Sequence, residues 1–210
     1  YREGDGSDTI SQAWRAGDDI DQLIFTDHTS AEVEFSYTGG LDLQIRTDDG
    51  QVITIENQFR ADIQRIDEIV FSDGISLDFQ EIVDRVVEDQ KPSGFVNGTI
   101  YGDNHYHAVG DGSYQILDGA VWNDLSVDRF FLVDQLQGDV SFDIVNVYDL
   151  SITMNNGEQV IIINHFRNQK FDMEQIIFAD GTVYDGHAIK AKALADQAAT
   201  GIVVGTWDGD

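Results

Sequence analysis

The chain is written twice. Asp42-Leu43-Gln44-Ile45 returns as Asp149-Leu150-Ser151-Ile152, 107 positions later, and the same offset carries Gly50 to Gly157, Asn57 to Asn164 and Phe59-Arg60 to Phe166-Arg167. The run Ile69-Val70-Phe71-Ser72-Asp73-Gly74 becomes Ile176-Ile177-Phe178-Ala179-Asp180-Gly181. Upstream, Gly4-Asp5-Gly6-Ser7 returns as Gly110-Asp111-Gly112-Ser113; downstream, Gly94, Gly98-Thr99, Gly102 and Asp103 return as Gly201, Gly205-Thr206, Gly209 and Asp210. A period of this kind marks a repeat architecture, in which each unit is packed against its neighbours along the chain. The period divides the sequence into a first unit at 1–92 that starts mid-unit, a second at 93–199, and the start of a third at 200–210, as a piece of a longer array would be divided.

Within each copy the hydrophobic pattern has a period of two. Leu41, Leu43 and Ile45 alternate with Asp42, Gln44 and Arg46, and Ile53 and Ile55 alternate with Thr54 and Glu56. Such alternation predicts half-buried strands. Asp48-Asp49-Gly50 and Asn155-Asn156-Gly157 sit between the strands and supply the positive-φ positions of a hairpin turn. Further strands are expected at 22–26, 32–37 and 66–71, with counterparts at 129–133 and 140–145. After Asp78 the period changes: Phe79, Ile82, Val83, Val86 and Val87 form the stripe of a short amphipathic helix, and 187–200 is its Ala-rich counterpart. The Gly-rich stretches that follow, 93–112 and 200 onward, are expected to separate the units.

Charge constrains partners. Asp and Glu number 39 against 12 Lys and Arg, a net charge of -27. That surface repels phosphates and anionic headgroups, which argues against nucleic acid and membrane insertion, and it attracts cations. With no cysteine the chain has neither disulfides nor thiolate metal sites. A bound metal is then one available staple. No apolar run approaches the roughly 18 residues a membrane span needs.

Gly4-Asp5-Gly6-Ser7-Asp8-Thr9-Ile10 matches Gly-x-Gly-x-Asp-x-U-x with U apolar, the glycine-rich nonapeptide pattern of RTX proteins. Glycines permit tight turns, Asp supplies a carboxylate, and calcium takes six to eight hard oxygen ligands. In the second copy Tyr114 replaces Asp8, and Gly98-Thr99-Ile100-Tyr101-Gly102-Asp103 offers a further imperfect turn. The candidate calcium ligands are therefore Gly4, Asp5, Gly6, Asp8, Gly98, Gly102, Asp103, Gly110, Asp111 and Gly112; the plain alternative is Gly/Asp turns without metal.

The middle of each copy carries a more specific resemblance. Asp42-Leu43-Gln44-Ile45, Ile53-Thr54-Ile55-Glu56-Asn57-Gln58-Phe59 and Ile66 to Gly74, with Asp149-Leu150, Ile162 to Phe166 and Met173 to Val183, resemble the haemolysin-type calcium-binding-related domain of RTX proteins. Gln58 and His165 stand where that family has Trp. The resemblance implies a secreted, extracellular or cell-surface protein exported by type I secretion. It also implies a mainly β fold of β-roll or β-solenoid-like units, with calcium as cofactor and no catalytic residues.

Other constellations read more blandly. His105-Tyr106-His107 could pair two imidazoles on a metal, but reads better as a surface pair in a linker. Acidic neighbours such as Asp18-Asp19 and Asp48-Asp49 follow from composition, and no catalytic signature motif occurs, so the chain is not read as an enzyme. Trp14 and Trp122 occupy nearly equivalent places and read as packing residues before sugar-stacking ones. The leading expectation is a calcium-responsive structural module whose partners are calcium ions and adjacent units of the same chain. The alternatives are an adhesin-type module for a polysaccharide or cell surface, and the carrier region of a secreted enzyme.

Overall fold

A computed structural model describes residues 1–12, 20–38, 41–60, 65–118, 127–167, 172–201 and 203–206. They form two compact units, Tyr1–Asp89 and Gln90–Asp210, and the protein is mainly β. Trp14, Trp122, Trp207 and Asp18-Asp19 lie outside the described residues.

The first unit is built from β1 (Asp8–Ile10), β2 (Gln22–Ile24), β3 (Val33–Thr38), β4 (Asp42–Thr47), β5 (Val52–Ile55), β6 (Glu68–Val70), β7 (Ser76–Asp78) and α1 (Phe79–Gln90). They make two open sheets, ordered β1-β5-β4-β3 and β2-β6-β7. The expected hairpin is β4–β5, pairing Leu43 with Ile55 and Ile45 with Ile53, and Gly50 takes the left-handed turn position at φ +86°. Its four paired residues are fully buried because alternation directs every second side chain into the core. The pattern did not reveal the parallel pairing of β1 with β5 and of β2 with β6. Hydrophobic alternation gives a strand's face but not its neighbour.

The second unit repeats this plan with one more layer. Its strands are β8 (Phe95–Asn97), β9 (Asn104–His107), β10 (Tyr114–Leu117), β11 (Arg129–Leu132), β12 (Val140–Val145), β13 (Asp149–Met154), β14 (Gln159–Ile162), β15 (Gln175–Phe178) and β16 (Val183–Asp185), followed by α2 (Gly186–Thr200). The sheet orders are β12-β13-β14-β10-β8 and β16-β15-β11-β9, with β8, β10 and β14 parallel in one and β9, β11 and β15 parallel in the other. The chain thus visits the two sheets alternately. Their inner faces meet where His107 of β9 lies 5.7 Å from the ring of Tyr114 of β10. The Gly-rich stretch 93–112, at whose start the period places the boundary between the units, folds as β8 and β9 within the second one. Short Gly-flanked strands carry too few residues for a period to register.

Each helix guards a sheet edge. α1 buries Ile82, Val83, Val86 and Val87, each contributing about 1.5–3 kcal/mol of apolar burial. Its last turn places Asp89 Oδ2 2.8 Å from the backbone N–H of Phe35 on edge strand β3, while Arg85 pairs with Asp89 at 2.7 Å and donates to the Val33 carbonyl. In the second copy Asp196 Oδ2 accepts from Phe142 N–H of edge strand β12 at 2.8 Å, paired with Lys192 at 2.9 Å. A free row of strand N–H groups invites edge pairing, and a helix carboxylate occupies one of them here. α2 is capped by Asp185, which accepts from Ala188 N–H, and ends in the left-handed conformation at Gly201.

Asp89→Ala and Asp196→Ala should each destabilise their unit by about 1–3 kcal/mol, the usual effect of leaving a partly buried N–H without a charged acceptor. Urea unfolding checks this; the Asn variants, which keep an acceptor oxygen, should lose less.

Candidate metal centre

In the two glycine turns the N–H donors meet acceptor side chains. Gly4 and Gly6 take φ +86° and +99°, and Asp5 closes its own turn by accepting from Arg2 N–H at 3.0 Å and pairing with its guanidinium. Gly6 N–H donates to Gln51 Oε1 at 2.6 Å, and Asp8 begins β1 as an exposed residue. The counterpart behaves alike: Asp111 accepts from Ala108 N–H at 3.0 Å, and Gly110 and Gly112 donate to the Glu158 carboxylate at 3.1 and 3.2 Å. These turns present N–H groups to an acceptor side chain, which is the polarity that suits an anion. Tyr114, in place of Asp8, is buried. The structure therefore does not bring Asp5, Asp8 and Asp111 into any carboxylate cluster among the described residues.

It does gather carboxylates at the third predicted turn. Asn97 of β8 pairs beside Leu117 of β10, so the next residues, Gly98 and Asp118, stack, and Gly98 N–H donates to the Leu117 carbonyl at 2.9 Å. On the other sheet Asn104, Arg129 and Gln175 are in register, so the residues before them, Asp103, Asp128 and Glu174, form a column. Asp103 N–H donates to Asp128 Oδ1 and Asp128 N–H to Glu174 Oε2, both at 2.8 Å. Asp103, Asp118 and Asp128 are 0%, 1% and 4% exposed, and one oxygen of each lies within 4.8 Å of the others. Thr99 holds Asp103 through its N–H at 2.5 Å and its hydroxyl at 2.8 Å. Gly98 is required here by close approach: a Cβ at that position would sit 2.7 Å from both Asp103 Oδ2 and Asp118 Oδ1. Gly102 lies in the same corner, directly before Asp103.

The electrostatics of this corner suit a cation. Asp118 Oδ2 is buried without a hydrogen-bond partner. Burial, then its contact with Asp128 and the charges of Asp128, Asp103 and Glu174, push its carboxyl well above the usual carboxylate range. Buried like charges are tolerated when they share a proton or hold a cation. An orphaned oxygen, a glycine cradle and an all-oxygen donor set fit a hard ion such as calcium and not a soft one. The first unit keeps part of this column: Asp21 N–H donates to Asp67 Oδ2 at 2.9 Å, the positions of Asp128 and Glu174, while Gln12 stands at the position of Asp118.

The histidine pair departs from expectation. His105 and His107 are fully buried on the inner face of β9, with Tyr106 turned outward onto Phe131. A strand whose alternate residues face the core takes them inside, and burial pushes His105 down to about 3. His107 Nε2 stands 3.5 Å from Glu158 Oε2. The Gln58 amide bonds both the N–H and the carbonyl of Ile66 at 2.8 Å, and at the equivalent position of the second copy His165 Nδ1 accepts from Met173 N–H at 3.0 Å.

The model of the haemolysin-type calcium binding protein related domain matches residues 42–81 and 149–188. The chain carries two copies of that domain, one in each unit. The matched segments span the strands from β4 through β7 and from β13 through β16, with the start of each helix; the carboxylate corner lies outside them. No curated protein matches the chain.

Asp118→Asn keeps the shape and removes one buried charge. With chelator present the raised Asp118 carboxyl makes the folded state bind a proton more tightly than the unfolded chain, so wild-type stability falls as pH rises above the ordinary Asp range. The variant should lack that decline. Melting curves in chelator across this pH range check it.

Proposed function

We propose that this chain is a calcium-responsive, non-catalytic structural module of a larger secreted RTX-like protein, with its parallel strands forming a β-roll. The observation that carries this reading is the buried corner of Asp103, Asp118 and Asp128 packed against Gly98. The printed name of the matched domain supports calcium as the ion. Bound calcium supplies two positive charges to three inward-facing carboxylates.

The chain's residues explain why an ion would govern folding. Asp103 and Asp128 precede stacked strands of one sheet, and Asp118 follows a strand of the other. Repulsion among them opposes closing the two sheets at this corner, so neutralising them favours closure. Beyond the corner, a net charge of -27 expands the unfolded chain, which suits export in an unfolded state from a compartment poor in calcium. Type I secretion and an extracellular location belong to the same reading, as what the resemblance to RTX proteins implies. The corner is buried, which supports a role for its carboxylates in structure and not on a substrate.

Thermal melting in chelator and in millimolar calcium tests the proposal. A hundredfold excess of ion over its Kd stabilises by about 2.7 kcal/mol, several degrees for a domain of this size. A midpoint that does not move between the two conditions overturns it.

A further inference from the structure

We infer that the first unit holds a second metal site, of different chemistry: His28, Asp48 and Asp49 form a centre for a borderline divalent ion such as Zn²⁺. One ligand atom of each lies within 4.8 Å of the others. His28 follows β2 and is 4% exposed, with its ring among Phe25 and Tyr1 at centroid distances of 5.8 and 6.2 Å. Its Nδ1 meets Asp27 Oδ1 at 3.1 Å. That contact makes Nδ1 the donor and leaves Nε2 as the lone-pair nitrogen, the orientation that metal-bound histidines receive from a carboxylate behind them. Nε2 faces Asp48 Oδ1 at 4.0 Å.

The carboxylates come from the β4–β5 turn, which is itself anchored. Asp48 N–H donates to the Glu32 carbonyl at 2.9 Å, and Asp49 accepts from the Thr47 hydroxyl and from Gln51 Nε2. Zinc bonds of about 2.0–2.2 Å to nitrogen and oxygen place tetrahedral ligand atoms roughly 3.3–3.6 Å apart, so the 4.0 Å gap needs to contract by about half an ångström. A hollow of about 300 Å³ bounded by Glu32, Thr47, Asp48 and Gly50 adjoins the site and leaves room for water.

The duplication supplies the second argument. At the same offset of 107, His28, Asp48 and Asp49 become Gln135, Asn155 and Asn156: each ionisable or ligating side chain is replaced by a neutral amide. The backbone around them is unchanged. His28 and Gln135 carbonyls accept from Ser72 and Ala179 N–H, both at 3.0 Å, and Asn155 N–H donates to the Asp139 carbonyl at 3.0 Å as Asp48 does to Glu32. Gln135 is buried with both amide atoms unpartnered, so its side chain gains nothing from the site it inherits. His28 is distant in sequence from the adjacent pair Asp48-Asp49 and meets it only in the fold, yet both places differ between the copies in the same sense, which supports treating them as one group. Imidazole nitrogen with carboxylate oxygen selects zinc-class ions, in contrast to the all-oxygen corner of the second unit.

The test is calorimetric titration of the full chain with Zn²⁺ in millimolar calcium, which occupies hard-cation sites first. The expected result is one zinc per chain, weakened at least roughly tenfold by His28→Gln and lost in the triple variant His28→Gln, Asp48→Asn, Asp49→Asn. Those substitutions copy what the second unit already folds with, and circular dichroism confirms that the fold is kept. The reciprocal variant Gln135→His, Asn155→Asp, Asn156→Asp should raise the stoichiometry to two. No zinc binding by the wild-type chain, or binding unchanged in the triple variant, overturns the inference; neither result bears on calcium at the Asp103 corner.

Discussion

Everything in this structure hangs on the parallel pairing of strands that are distant in sequence. β1, β2, β6 and β8 are each three residues long and bury too little to persist alone. Stacked in register, they share a continuous core: Ile10 on Ile55, Leu23 on Ile69, and Val96 on Ile116 and then Ile162. The same register fixes what lies just outside each strand. Because Asn104 aligns with Arg129, Asp103 must meet Asp128, and because Asn97 aligns with Leu117, Gly98 must meet Asp118. The carboxylate corner is thus a consequence of backbone hydrogen bonding, enforced whatever its own energetic cost.

That cost is where structure turns into function. Three carboxylates at a buried corner oppose the fold that places them there, and hydrogen bonds from Thr99 and from the Asp103 N–H offset only part of that repulsion. The edge strands β3 and β12, held by Asp89 and Asp196, are independent of that corner and keep the same geometry in both units. The duplicated scaffold is therefore constant, while the ionisable groups hung on it differ between copies.

Much of this scaffold was legible in the sequence. The hairpins, the helices at Phe79–Gln90 and Gly186–Thr200, and Gly50 and Gly157 at their turns all follow from local pattern. Asp103 and Gly98 were also visible as candidates from their place in a Gly/Asp stretch. Asp118 and Asp128 were not, since nothing local distinguishes them among 39 acidic residues; only the parallel register brings them to Asp103. The glycine turns at Gly4–Gly6 and Gly110–Gly112 carried the stronger motif, yet their N–H groups are spent on Gln51 and Glu158, acceptors from another strand that a motif does not contain. His105 and His107 looked exposed in a Gly-rich stretch and are buried because β9 is an inner-facing strand with too short a period to be recognised.

The central claim is that calcium is held by carboxylates which parallel stacking gathers, and not by the glycine turns themselves. Anomalous diffraction from crystals grown in millimolar calcium tests it directly. The expected result is an anomalous peak among Asp103, Asp118 and Asp128. Calcium peaks confined to Gly4–Asp8 and Gly110–Gly112, with none at that corner, would contradict it.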